Sequence, residues 1–189
     1  MRACPEIPPP ALLYPLHFCV MEHRISSFVK HAYRLKEIRR KGWERAGVEE
    51  PESVACHSYM VALLSMLLGD ALELDTEKMM KMALLHDVAE SVTGDITPHE
   101  MEREEKREKE NCAMEELLSL THRQEYRELW KEFLTGESRE AQMVRELDKL
   151  EMVVQARIYA RTCGNLEEFL REENHITSPL LRALLDELP

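Results

Sequence analysis

The sequence predicts an all-α protein built as one domain, on three observations. Glycine and aromatic residues are scarce, at 6 residues and 6%, whereas 11 methionines accompany many leucines, glutamates and alanines. That mixture favours helices over short strands and turns. Apolar side chains also recur at helical spacing in segment after segment. Finally, a chain of 189 residues is long enough to bury roughly 70% of its unfolded surface, so neither a disulfide nor a structural metal is required for folding. A hydrophobic share of 44% beside 32% charged residues argues against disorder.

Taken in order, residues 1–20 differ from the rest. Pro5, Pro8, Pro9, Pro10 and Pro15 exclude a regular helix there. The apolar run 11–21 is broken by Pro15 and His17 and is too short to cross a bilayer. It also lacks the basic start and small-residue cleavage site of a signal peptide. This stretch is expected to be a flexible extension, with a translation start at Met21 as the alternative, and the folded domain to cover 21–189.

Ile25, Phe28, Val29, Tyr33 and Leu35 give one apolar stripe on a basic helix over 25–41. Residues 42–50 then read as a loop. Ser53 is a plausible N-cap for a helix reaching Leu68 that is apolar nearly all round and therefore central. Gly69 and Asp70 read as breakers. A further helix runs from Thr76 to about Ser91 and stops at Thr93-Gly94-Asp95 and Pro98. The charged stretch 99–118 suits an exposed helix or lid held by Glu102–Lys106 and Glu105–Lys109 pairs. Tyr126, Leu129, Trp130 and Phe133 mark an amphipathic helix ending near Gly136; a long helix follows over 140–163, and Ser178-Pro179 opens a last short one.

A net charge of −11 disfavours long nucleic acid and anionic membrane surfaces as partners. The window 24–45 nevertheless carries eight lysines and arginines against Glu37 and Glu44. It is either a solvated helix face or a field that steers a small phosphorylated ligand. The five cysteines are scattered, with no CxxC pair, which suits a reducing cytosol rather than a disulfide framework. Cys56 adjoins His57, but neighbouring helical positions do not face each other, so a Cys/His nucleophile is disfavoured.

The chemistry concentrates in Leu85-His86-Asp87-Val88-Ala89-Glu90. On a helix, His86 and Glu90 share a face at i,i+4, and Asp87 and Glu90 at i,i+3. An imidazole and two carboxylates buried together are costly unless a cation compensates them, and this donor set suits Mn, Co, Fe, Mg or Zn. The alternative is a solvated helix end. His57 in the most apolar helix, and Asp148 between Val144 and Met152, break the apolar pattern in the same way. Singly, each has a structural explanation: a satisfied core histidine, or an acid paired with Arg145 or Lys149. Together with His86 and Asp87 they make a four-ligand set.

These residues resemble the HD-domain metal-dependent phosphohydrolases, and more closely their 5′-deoxynucleotidase branch. The matching text is Gly42-Trp43, Gly47-Val48, Pro51 to Ala55, His57-Ser58, Met82 to Glu90, Thr93 to Pro98, Glu105-Lys106 and Leu147 to Met152, in that order over about 25–188. The resemblance implies a single HD-domain helical bundle that hydrolyses deoxyribonucleoside 5′-monophosphates. It implies that His57, His86, Asp87 and Asp148 ligate the catalytic metal. Glu90 and Asp95, with the carbonyl of Ile96, would hold a second ion, or Glu90 would orient or activate the attacking water. Trp43 and Asp95, Ile96, Thr97 and Pro98 would touch the nucleotide. It also implies a homodimer, for which the charged helix and the Trp130 helix offer surface.

The match departs at Gly42, where single-metal relatives carry an arginine that orients the phosphate. Lys41, Arg45 or Arg40 could take its place, but none aligns with it, and that role stays unassigned. Di-iron oxygenases on related scaffolds need further histidines, and only His99 and His122 lie between His86 and Asp148. A triphosphate or alarmone substrate, or a non-catalytic metal-binding module, completes the alternatives.

Overall fold

The structure, a computed structural model, describes residues 16–162 and 165–189. Most of the expected extension therefore lies outside the described residues. In chain order the helices are α1 (Leu16–Arg34), α2 (Lys41–Arg45), α3 (Val54–Ala71), α4 (Thr76–Leu85), α5 (Glu90–Thr93), α6 (Arg103–Ser119), α7 (Gln124–Thr135), α8 (Arg139–Tyr159), α9 (Glu167–Leu170) and α10 (Pro179–Glu187). A 3-10 turn over Arg171–His175 follows α9. Among the described residues no strand forms, and an isolated antiparallel bridge pairs Arg39 with Ser53. The protein is all-α, as the composition predicts.

Side-chain caps set several helix starts. Ser53, Asp75, Ser138 and Ser178 accept from the backbone N–H groups of Cys56, Lys78, Ala141 and Leu181 respectively. Pro179 stands at the start of α10, where its missing N–H costs nothing. Gly136 ends α7 in the left-handed conformation at φ 67°.

Helices α3, α4 and α8 pack against one another at the centre. Their shared core includes Val61, Met79, Met82, Val144, Leu147 and Leu150, all essentially inaccessible. Each such side chain contributes about 1.5–3 kcal/mol by leaving water. A second core gathers Leu35, Val54, Leu85, Val88, Met114, Leu118 and Trp130. The segment from Met82 to Val88 passes from the first core to the second, and so delivers His86 and Asp87 to their junction.

Several expectations are corrected. Helix α1 begins at Leu16 rather than Ile25 and ends at Arg34, and a short α2 occupies part of the expected loop. Gly69 and Asp70 lie inside α3. A Cβ on Gly69 would stand 3.0 Å from the Thr76 Cα, so the glycine serves the close approach of α3 to α4 instead of breaking the helix. Helix α3 is not buried all round, because Tyr59, Met60 and Leu67 are exposed. Lys106 pairs with Glu110 rather than Glu102, whereas Glu105–Lys109 forms as expected. Trp130 is enclosed in the second core, its indole N–H on Asn111, so the apolar stripe of α7 is spent inside the fold.

The largest correction concerns the central motif. Helix α4 stops at Leu85, and residues 86–89 form a tight turn before α5. The backbone bonds there run i to i+3, from Val88 N to Leu85 O and from Glu90 N to Asp87 O, at 3.1 and 3.0 Å. Gly94 at φ 76° then reverses the chain, a conformation that suits glycine, and sets Asp95 beside the turn.

Candidate active site

His57 stands in the first turn of α3, His86 and Asp87 follow α4, and Asp148 projects from the middle of α8. The packing of these three helices brings all four together. His57 Nε2 lies 3.0 Å from Asp148 Oδ1 and 3.7 Å from Asp87 Oδ2, and His86 Nε2 lies 3.2 Å from Asp87 Oδ2. The two Nε2 atoms are 3.3 Å apart.

The other ring nitrogens decide what this cluster can do. His57 Nδ1 is 2.5 Å from Glu151 Oε2, and His86 Nδ1 is 2.7 Å from the Ala83 carbonyl. Both partners accept, so each Nδ1 carries a proton, and each Nε2 is the nitrogen left facing the carboxylates, able to bind a cation once it gives up its own proton. Two imidazole nitrogens and two carboxylate oxygens converge on one small volume. Burial opposes protonation of both histidines, yet the pull of Asp148, Glu151 and Asp87 prevails: His57 is pushed up to about 10, and His86 is raised as well. A field that holds positive charge this strongly, on a nitrogen and oxygen donor set, fits a divalent metal ion.

Glu90 is 2% exposed, and its Oε2 is buried without a hydrogen-bond partner. Burial, then the neighbouring Asp87, pushes its carboxyl well above the usual range. An orphaned carboxylate oxygen beside the cluster is what a second cation or a reacting water requires. Asp95, also buried, accepts from the Lys41 backbone N–H at 2.6 Å. Asp148 is less enclosed than the sequence implied, its side chain 36% exposed.

A cavity of about 140 Å³ adjoins the cluster, lined among others by Arg40, Trp43, the 95–98 segment, Lys106 and Phe169. Every predicted substrate residue is therefore on its wall. Trp43 is only 1% exposed, because Phe169 and Tyr159 cover its ring and Glu52 takes its N–H at 3.0 Å. Glu100 closes the loop by accepting from Thr97 N and from Lys41 Nζ, each at 2.9 Å.

Sequence reasoning left Arg40 unassigned among three basic candidates and gave no role to three further participants. Arg40 Nη1 reaches Asp87 at 3.3 Å and Asp95 at 3.9 Å. Lys106 of α6 faces the same cavity. Glu151 orients His57, and Glu52 anchors Trp43. Only Glu151 carried a signal, since it lies three residues after Asp148 on the same face of α8. His99 pairs with Glu168, and His122 faces Arg24, so neither supplies the extra ligands an oxygenase needs. Cys56 is exposed and joins no catalytic arrangement with His57.

Fold and site together define a helical domain with a divalent-metal centre at the meeting of three helices. Residues 32–185 match the family described as HD domain, and the chain belongs to that family. It is 36% identical over 175 residues to the 5′-deoxynucleotidase hdd1 of Schizosaccharomyces pombe, covering 87% of this chain and 88% of that one. It is 38% identical over 162 residues to the 5′-deoxynucleotidase HDDC2 of Dictyostelium discoideum, covering 80% and 85%. A solved structure of a conserved hypothetical protein from Pyrococcus furiosus superimposes with a TM-score of 0.77 at 34% identity, over 85% of this chain and 96% of that one.

Proposed function

We propose that the chain is a metal-dependent 5′-deoxynucleotidase that converts deoxyribonucleoside 5′-monophosphates to deoxynucleoside and phosphate. One observation carries the reading. Two buried histidines turn their Nε2 atoms toward each other at 3.3 Å among the Asp87 and Asp148 carboxylates, and the buried Glu90 oxygen has no hydrogen-bond partner. The names of the relatives supply the substrate class.

His57, His86, Asp87 and Asp148 hold the first ion, which when bound acidifies water and polarises a phosphoryl oxygen. Glu90 accepts the proton of the attacking water as its oxygen bonds to phosphorus. The bond from phosphorus to the 5′ oxygen breaks, and Glu90 returns that proton to the leaving hydroxyl. In the alternative, Glu90, Asp95 and the Ile96 carbonyl would hold a second ion, with Glu90 then a ligand instead of the proton acceptor. Trp43 and the Asp95, Ile96, Thr97 and Pro98 wall bound the nucleoside. The donor set accepts Mn, Co, Mg, Fe or Zn.

The reading includes a homodimer, for which exposed Ile25, Val29 and Tyr33 on α1 and Tyr59, Met60 and Leu67 on α3 offer surface in place of α7. It also includes a cytoplasmic location, supported by the scattered cysteines. Sedimentation equilibrium tests the first and fractionation the second.

The activity is tested by phosphate release from deoxy- and ribonucleoside monophosphates, with triphosphate controls. The protein is stripped with chelator and resupplied with each metal. Release confined to deoxynucleoside monophosphates is expected. Release from triphosphates alone, or from nothing with any metal, overturns the proposal.

A further inference from the structure

Arg40 and Lys106 line the cavity together with Asp95, and the charges of Asp87, Glu90 and Asp95 act on both cations. Their ion pairs are longer than several on the surface. Lys81–Glu125, Lys78–Glu132 and Lys41–Glu100 close at 2.5, 2.5 and 2.9 Å. Arg40 stays 3.3 and 3.9 Å from its carboxylates, and Lys106 stays 3.4 Å from Glu110. Their charge is attracted into the site, yet their donors are not used up in close pairs.

The backbone explains why Arg40 points there. Residues 38–40 run against 52–54, with Arg40 N on Glu52 O at 3.1 Å and Val54 N on Ile38 O at 3.0 Å. Arg40 is thereby tethered to the start of the helix that carries His57. Lys106 arrives from the opposite wall on α6, its side chain 26% exposed. Between them, a Cβ at position 42 would lie 3.0 Å from the Phe169 ring, so a side chain there requires the ring to shift. Arg40 reaches the cavity from the same connection without that crowding.

We infer that Arg40 and Lys106 form a two-sided clamp for the phosphoryl group of the substrate. The inference rests on the phosphomonoesterase reading and adds the residues that bind its anion. The forked guanidinium gives two parallel donors to tetrahedral oxygens, and the ammonium acts as a point charge from the other side. Both also offset the charge that develops on the transferring group.

The test uses manganese-loaded protein and inorganic phosphate as the probe, by calorimetry, beside steady-state kinetics on a deoxynucleoside monophosphate and p-nitrophenyl phosphate. Lys106→Met should weaken phosphate binding and raise KM for both substrates by about ten- to a hundredfold, the worth of a charge-assisted hydrogen bond. Manganese affinity should stay within about twofold, because Lys106 touches no ligand of the first ion. Lys106→Arg should recover most of the loss, and Arg40→Lys should give an intermediate one. Lys109→Met removes the same charge from an exposed pair on the same helix and should change phosphate affinity by less than about twofold.

Unchanged phosphate affinity in Lys106→Met, or an equal loss in Lys109→Met, overturns the clamp. If the wild type binds phosphate in this Lys106-dependent way but hydrolyses no nucleotide, the nucleotidase reading falls and the clamp stands.

Discussion

Glu151→Gln isolates a residue that touches His57 without facing the cavity. The carboxylate lies 2.5 Å from His57 Nδ1, with His57 fully enclosed and Glu151 5% exposed. It holds the proton on Nδ1 and so orients Nε2 toward Asp148 and Asp87, where a metal would take the place of the Nε2 proton. A glutamine keeps the shape, but its amide offers a weaker acceptor on one atom and a donor on the other. A charge-assisted hydrogen bond of this kind is worth about 1.5–3 kcal/mol. Loss of such an outer partner typically weakens metal affinity by about 10- to 100-fold.

The same substitution relieves a strain. Reachable atoms of Glu52, His57 and Glu151 lie within 4.8 Å of one another. Two carboxylates at that separation repel by about 3.5 kcal/mol at an effective dielectric of about 20. Burial, followed by the charge of Glu151, raises the Glu52 carboxyl accordingly. The lost bond and the relieved repulsion oppose each other in the metal-free protein, so its stability should move by less than about 1 kcal/mol. Metal affinity has no such compensation. The assay pairs a chelator-competition titration of manganese with urea unfolding in chelator. An unchanged manganese Kd would refute the argument, as would a large fall in metal-free stability.

His86→Ala and Asp87→Ala should each abolish phosphate release while circular dichroism still reports a helical protein; near-normal turnover in either would show the site is misplaced. Glu90→Ala should retain the first ion in a metal titration and lose about 10²- to 10⁴-fold in kcat, the usual weight of a general base. In metal-stripped protein, burial and Arg40 lower the His57 pKa, but Asp148 and Glu151 prevail and hold it at about 10. Its folded value is raised, so its contribution to stability is complete below the ordinary histidine pKa of about 6.5 and is lost as pH rises through about 10. Urea midpoints in chelator should fall across that window, and a flat profile would contradict the assignment. Gly42→Ala sets a Cβ 3.0 Å from the Phe169 ring that packs on Trp43 at 4.2 Å. It should cost about 1–3 kcal/mol by overpacking and raise KM, both visible in unfolding curves and initial rates.

The four clustered residues were legible because each is a residue type that breaks an apolar pattern. His57, His86, Asp87 and Asp148 stand among leucines, valines and methionines, where a charge or imidazole demands a partner. Capping serines and Gly136 were readable for the same reason, as local chemistry with local consequences. Arg40, Lys106 and Glu52 sit among other charges, where a solvated position is a sufficient explanation, and nothing in their spacing separates them from Arg39 or Lys109. Arg40 gains its direction from the pairing of 38–40 with 52–54, and Lys106 from the packing of α6 against α5. Both are contacts between segments distant in sequence.

The motif itself shows how a residue set that does cluster can be read from the wrong local geometry. In a continuous helix His86 and Glu90 would stack at i,i+4, and Glu90 would belong to the histidine. The turn at 86–89 tightens the bonds to i,i+3, and tighter winding brings residues three apart into line. Asp87 and Glu90 then share one side. The electrostatics agree, because after burial the charge acting most on Glu90 is that of Asp87. His86, released from that stack, turns its Nε2 to His57 across the helix packing. A proline-free sequence with uninterrupted helical periodicity gives no sign of this break; the closure of Asp87, Asp148 and two histidines on one point does. Restoring a regular helix through 86–89 would move Glu90 over His86 and separate the proton acceptor from the carboxylate whose charge sets its affinity for the proton.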